Sequence, residues 1–140
     1  MHDDYRVTTN QSEMDVEAIH QYLTNSYWSA GLPLETLRKA LQNSFCFAAL
    51  KGNEQIGFAR LITDYTTFAY LADVYILEAH QGKGLSKMLL DEIFKHPKLD
   101  GLRRIMLATR DAHGLYEKFG FSKLSNPDIF MENWNPDVYA

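Results

Sequence analysis

Ile76-Leu77-Glu78-Ala79-His80-Gln81-Gly82-Lys83-Gly84-Leu85-Ser86 passes from an apolar run, through a glycine-rich turn, into a helix-forming segment. Downstream, Leu85, Met88, Leu89 and Ile93 recur at helical spacing, and Pro97 closes that helix near His96. Upstream, residues 68–77 are nearly all apolar, which predicts a strand covered on both faces. A turn between such elements suits an anion. The first amides of a helix have no intrahelical partner, and the helix dipole adds about half a positive charge there. Gly82 and Gly84 have no Cβ to hold a ligand away from the backbone, and Lys83 and Lys87 add mobile charge.

Working outward, residues 4–9 predict a short strand, and Val16, Ile19 and Leu23 a helix with Ser12 as its N-cap. Tyr27 to Gly31 form a break, and Pro33 suits the first turn of a second helix carrying Leu34, Leu37 and Leu41 on one face. Residues 45–51 and 55–63 predict two strands joined by Gly52-Asn53, a pair that tolerates the positive φ of a tight hairpin. Beyond the central helix come a strand over residues 104–109 and a helix over 112–119 stopped by Gly120. A final strand pair is expected at 121–124 and 129–133. The order β-α-α-β-β-β-α-β-α-β-β predicts an α+β fold, a mixed and largely antiparallel sheet with helices on both faces. The 140 residues suit one domain, 1–140.

Composition narrows the function. A formal net charge of -4 gives no footprint for nucleic acid, so any basic patch is local and directed at a small anion. The single cysteine, Cys46, lies in the apolar run Phe45 to Leu50 and reads as a buried free thiol. The five histidines show no ligand spacing with cysteine or acidic residues, so no metal is expected. The amino terminus lacks a basic and apolar leader, and no run approaches the ~20 apolar residues that span a bilayer. A cytoplasmic protein without membrane partners is the expectation.

Two stretches resemble the GNAT superfamily of acetyltransferases. The superfamily's acetyl-CoA loop, Gln/Arg-x-x-Gly-x-Gly/Ala, is matched by Gln81-x-x-Gly84-x-Ser86, where Ser86 adds a hydroxymethyl group to a position usually small. Downstream, Ala112-His113-Gly114-Leu115-Tyr116-Glu117-Lys118-Phe119-Gly120-Phe121 resembles its Ala-x-x-x-Tyr-Glu-Lys-x-Gly-Phe segment. The likeness covers residues 45–124 well, and the first 44 residues only by helix order. Rival glycine motifs fit worse: there is no Gly-x-x-x-x-Gly-Lys-Ser/Thr, and Gly82-Lys83-Gly84 lacks the third glycine of a dinucleotide fingerprint.

The resemblance implies acetyl-CoA as co-substrate. It implies contacts from Gln81, Gly82, Lys83, Gly84, Leu85, Ser86 and Lys87 to the diphosphate, and from the backbone of Val74, Tyr75 and Ile76 to the pantetheine arm. It gives Tyr116 the role of general acid. Thr109 takes the place of a coenzyme-holding Asn, with shorter reach. No base follows from the resemblance. Asp73 is the candidate on chemical grounds, as the lone carboxylate in an apolar strand, and pairing with Arg60 is the competing reading. His113, three residues before Tyr116, can share its face and relay a proton, or be a plain surface imidazole. His80 reads as solvent-facing. Arg103 and Arg104 read as a solvated basic pair, with a coenzyme phosphate as the alternative. Tyr27 and Trp28, between the first two helices, are candidates to wall an acceptor pocket, with Tyr65, Thr66 and Thr67 weaker ones.

The function these residues imply is N-acetyl transfer from acetyl-CoA to a primary amine of a small molecule, by direct attack in a ternary complex. Two alternatives stand beside it, an acyl-CoA binding or sensing module and a protein or peptide N-acetyltransferase. Dimerisation is frequent in the superfamily, so a homodimer is compatible with the sequence.

Overall fold

The computed structural model describes residues 4–140. Residues 1–3, on which the reading of the amino terminus partly rests, lie outside the described residues. The chain divides into two compact units, Met1–Ala108 and Thr109–Ala140.

The first unit holds a five-stranded sheet in the order β1-β2-β3-β4-β5. These are β1 (Tyr5–Thr8), β2 (Phe45–Lys51), β3 (Glu54–Thr63), β4 (Phe68–Ile76) and β5 (Arg104–Leu107). The first three pairings are antiparallel, and β4 with β5 is parallel. That parallel step needs a crossover, and α3 (Leu85–Lys95) supplies it. Helices α1 (Val16–Thr24) and α2 (Leu34–Gln42) fill the connection from β1 to β2.

Helix α1 begins at Asp15, whose carboxylate accepts the Ala18 N–H at 3.0 Å. The expected cap, Ser12, sits instead in a 3-10 turn at Gln11–Glu13 capped by Asn10. Met14 and the extended Asp15 separate that turn from the helix, which moves the start three residues on. Pro33 occupies the N-cap position of α2 rather than its first turn. Between β2 and β3 the chain reverses at Gly52, with φ 61°, and Lys51 pairs with Glu54. A glycine at the first of two hairpin positions is what this reversal requires. The tip between β3 and β4 is organised by Asp64, whose carboxylate accepts from the amides of Thr66, Thr67 and Phe68 and from the Thr67 hydroxyl. Those bonds hold the Asp64 carboxyl well below the usual carboxylate range.

The sheet's two faces are covered differently. Ile19, Leu23, Leu37 and Leu41 of the first two helices pack with Cys46, Phe58 and Tyr75 on one face. On the other lies α3, which buries Leu85, Leu89, Leu90 and Ile93. His96, at its end, meets Phe45 and Phe47 edge-on. Cys46 is buried and unbonded to another sulfur, and burial pushes its thiol up to about 12. The strand expected to be covered on both faces, β4, alternates buried and half-buried residues instead. Its small and polar positions, Ala72 and Tyr70 among them, lie on the less covered side.

Register shows a bulge in β4. Arg60 pairs with Ala72 but Phe58 pairs with Tyr75, so Asp73 and Val74 stand against the single residue Ala59. Asp73 has φ 58°, a left-handed conformation that Asp tolerates better than most residues. The extra residue reverses the alternation, so that Tyr75 faces α1 and α2 although Leu71, also odd-numbered, faces α3.

The second unit contains α4 (His113–Glu117) and a 3-10 turn at Pro127–Ile129. The strand pair expected at 121–124 and 129–133 is absent from the described residues. Strand preference is realised only against a partner, and here Pro127 and the turn around it interrupt the run, leaving Met131 97% and Trp134 72% exposed. No helix among the described residues is long and apolar enough to cross a membrane.

Gly57 sits where β3 meets the far side of the bulge. A Cβ there would lie 2.6 Å from Ile76 Cδ1 and 3.0 Å from the Tyr75 carbonyl oxygen. The Gly57→Ala variant is therefore expected to lose about 1–3 kcal/mol in urea unfolding, as overpacking against backbone does.

Candidate functional site

The turn after β4 has the geometry of an anion cradle. Gly82 and Gly84 take φ 79° and 76°, and a Cβ at Gly82 would meet nothing within 4 Å. Gly84 is the N-cap of α3, and no side chain caps that end. The first-turn amides of Leu85, Ser86 and Lys87 thus point out of the helix without a side-chain acceptor. Gln81, Lys83 and Lys87 are exposed, and Ser86 is half-buried. The Gln81 side chain donates to the Ile76 carbonyl at 2.9 Å, which ties the turn to the end of β4. His80, expected to face solvent, is half-buried and hydrogen-bonds the Tyr5 hydroxyl through Nδ1 at 3.1 Å, because β1 reaches this end of the sheet.

Next to the turn, one edge of β4 is open. Pairing with β5 runs from Phe68 opposite Arg104 to Leu71 opposite Leu107, and β4 continues to Ile76. Val74, Tyr75 and Ile76 lie on this continued stretch. Arg103 donates its amide to the Thr67 carbonyl, and the side chains of Arg103 and Arg104 are exposed.

On the α1 and α2 face, a cavity of about 670 Å³ is lined by Tyr22, Tyr27, Trp28, Gln21, Asn25 and Leu77 among others. Tyr22 stacks on Tyr75 with centroids 3.8 Å apart and planes 9° apart, and Tyr27 meets Trp28 edge-on at 5.1 Å. Burial raises the phenol pKa of both Tyr22 and Tyr75. Trp28 is fixed from behind: its Nε1–H donates to Asp73 Oδ1 at 2.9 Å, while Arg60 Nε donates to Asp73 Oδ2 at 2.8 Å. Arg60 in turn donates to the Ser44 hydroxyl at 3.1 Å. Asp73 therefore has each carboxylate oxygen engaged, by the pairing set beside the base role from sequence and by a tryptophan as well. Tyr65, Thr66 and Thr67 are not brought to this cavity. They form the tip at the start of β4, where Tyr65 packs on Phe45 and beneath Lys98, whereas Leu77 follows its other end.

Within the second unit, Tyr116 lies in α4, buried and in edge contact with Phe121 at 5.9 Å. Burial raises its phenol pKa above the ordinary 10.0. His113 is exposed, so three-residue spacing on a helix this short does not give it the surroundings of Tyr116. Thr109 accepts the Ala112 amide at 3.1 Å just before α4. Among the described residues, no three His, Cys, Asp or Glu side chains gather as a metal requires.

Tyr22 and Gln21 escaped the sequence reading. Tyr22 flanks the apolar stripe of Val16, Ile19 and Leu23 and reads there as core, and only its three-residue offset from Ile19 and the nearby Tyr27-Trp28 pair hinted at a shared aromatic wall.

Residues 12–121 match the model of the acetyltransferase (GNAT) family. A Gibberella zeae protein with an acetyltransferase name is 36% identical over 138 residues, covering 82% of this chain and 77% of that one. A crystal structure from Xanthomonas campestris pv. campestris, described as belonging to the GNAT family, is 43% identical. It superposes with a TM-score of 0.94 over 97% of this chain and 96% of its own. A GNAT structure from Elizabethkingia anophelis with acetyl-CoA bound shares the fold at 18% identity and TM-score 0.65, covering 97% of this chain and 92% of that one.

With Asp73 removed, Arg60 and the Trp28 indole lose their acceptor in a place where Arg60 is only 17% exposed. Asp73→Ala is expected to cost about 3–5 kcal/mol in denaturant unfolding, most of it the cost of a stranded guanidinium. A double-mutant cycle with Arg60→Met checks this, since the second change should recover part of the loss.

Proposed function

The chain belongs to the GNAT family of acetyltransferases, and from that premise we propose that it moves the acetyl group of acetyl-CoA to the primary amine of a small molecule, in a ternary complex. The observation that carries the reading is the uncapped, doubly glycine-flanked start of α3 beside an open edge of β4. These residues fit the coenzyme. The amides from Gly82 to Lys87 supply donors for a diphosphate, with Gln81, Lys83 and Ser86 at the rim, and the backbone of Val74, Tyr75 and Ile76 supplies partners for the pantetheine amides. Thr109 is assigned to the coenzyme by resemblance alone. We treat residues 1–140 as one domain because the family match runs from 12 to 121, across the boundary between the two units.

The amine nitrogen attacks the thioester carbonyl carbon, forming the N–C bond and breaking the C–S bond. The departing sulfur takes the proton of the Tyr116 hydroxyl, and the attacking amine gives its own to solvent. A phenol suits this task because its ordinary pKa of ~10 exceeds the ~8.5 of a thiol, so it is protonated when thiolate forms. Burial raises that of Tyr116 further, which keeps the acid form present to higher pH. Asp73 is the candidate base by position. Its two hydrogen bonds favour a role in holding Trp28, with the amine proton passing to water. His113, exposed, is a candidate to relay that proton outward.

Replacing Tyr116 with Phe is expected to lower turnover about 10- to 1000-fold and leave the heat of acetyl-CoA binding unchanged. Unchanged turnover removes Tyr116 from the acid role, and no binding heat with the unmodified chain overturns the reading as a whole. In the pH profile of turnover, the alkaline fall due to this acid is expected above pH 10, because its raised pKa moves loss of the proton upward.

A further inference from the structure

The cavity on the α1 side of the sheet, which reaches Leu77 just past β4, is lined by eight residues, none of which is Asp, Glu, Lys, Arg or His. Three of the eight, Tyr22, Tyr27 and Trp28, are aromatic, and Gln21 and Asn25 are neutral amides. We propose that the acceptor is a monoamine with an aromatic or similarly apolar body, bearing neither a carboxylate nor a second amine. This rests on the reading above, that the chain acetylates a small-molecule amine.

Charge selection follows from what the lining lacks. A substrate carboxylate entering this cavity gives up water and finds no cationic side chain, and a second ammonium finds no free anion. Asp73, the carboxylate behind Trp28, is not free, since Arg60 and the Trp28 indole already occupy its two oxygens. An amine with one nitrogen and an apolar body leaves no charge stranded. The same neutral lining favours the reactive form of that nitrogen, since desolvation without a carboxylate partner disfavours an ammonium and lowers its pKa. The attacking lone pair is thereby made available.

Shape selection follows from the rings. The Trp28 indole is oriented by a hydrogen bond of 2.9 Å to a carboxylate that Arg60 also engages at 2.8 Å. Donation to an anion also enriches the indole ring in electron density, which suits an incoming ammonium before it loses its proton. Tyr22 is braced by Tyr75 stacked 3.8 Å behind it. A wall held in place before binding loses little entropy when a flat substrate lies against it.

The test measures thiol release from acetyl-CoA by the full chain with 2-phenylethylamine, phenylalanine and spermidine. Phenylalanine is the first amine with a carboxylate added, and spermidine has the extra cations without the ring. The expected kcat/KM for 2-phenylethylamine exceeds either rival by about 10-fold or more, since a site rejects a polar group that it must leave unpaired. Trp28→Ala is expected to raise KM for 2-phenylethylamine about 10-fold with the heat of acetyl-CoA binding unchanged, and Trp28→Phe to restore most of it. Tyr27→Ala, at a position 58% exposed, makes the same test without touching the Asp73 hydrogen bond. A preference for phenylalanine or spermidine, or unchanged KM in both alanine variants, overturns the proposed acceptor class and leaves acetyl transfer standing. No thiol release with any of the three, from a chain that binds acetyl-CoA, overturns both readings.

Discussion

The buried carboxylate of Asp73 joins three parts of the first unit that sequence keeps far apart. It accepts from Arg60 on β3 and from Trp28 in the connection between α1 and α2, while its own backbone makes the left-handed step of the β4 bulge. Desolvating such an ion pair cancels much of its Coulombic gain, so its contribution is to position rather than to stabilise. The bulge turns Tyr75 toward α1, Tyr75 backs Tyr22, and Trp28 closes the aromatic wall. The β4 bulge and the placement of Trp28 thus meet in one residue, the first through its backbone and the second through its carboxylate.

Helices α1 and α3 show opposite choices about helix starts. Asp15 caps α1 with its own carboxylate, the usual way to satisfy a first-turn amide. Gly84, held at φ 76°, leaves α3 without a side-chain cap, forgoing about a few tenths of a kcal/mol relative to Ser or Asp. Helix α3 is secured instead by Leu85, Leu89, Leu90 and Ile93, each nearly or fully buried on the sheet. An apolar face anchors the helix while its polar end stays without a side-chain cap.

Much of the fold was legible because it rests on short-range signals. Gly52-Asn53 marked the hairpin, Pro97 closed α3, and the Gly82-Lys83-Gly84 turn marked the helix entry. The failures share a cause, which is that each depended on a partner distant in the chain. Residues 121–124 and 129–133 have strand-like composition, yet composition carries no information about whether an edge is available. The covering expected on both faces of β4 failed because an apolar run does not say where helices end. At the site, the glycine turn and the two aromatics were readable from local pattern. Tyr22 was not, since its stacking partner lies on another element, and the hydrogen bond from Trp28 to Asp73 spans 45 positions. His80 looked exposed for the same reason, its partner Tyr5 being 75 positions away.

The bulge also determines where the chain tolerates a change in length. An insertion at Gly52 or at the Asp64 tip alters only an exposed connection. Insertion of one more residue between Val74 and Tyr75 would shift the pairing with β3 by one, and every side chain from Tyr75 onward would exchange one side of the sheet for the other. Tyr75 would then point into the layer held by α3, and the cavity would lose its back wall while most of the sequence stayed the same. In this short stretch, residue count constrains the molecule as strongly as residue identity.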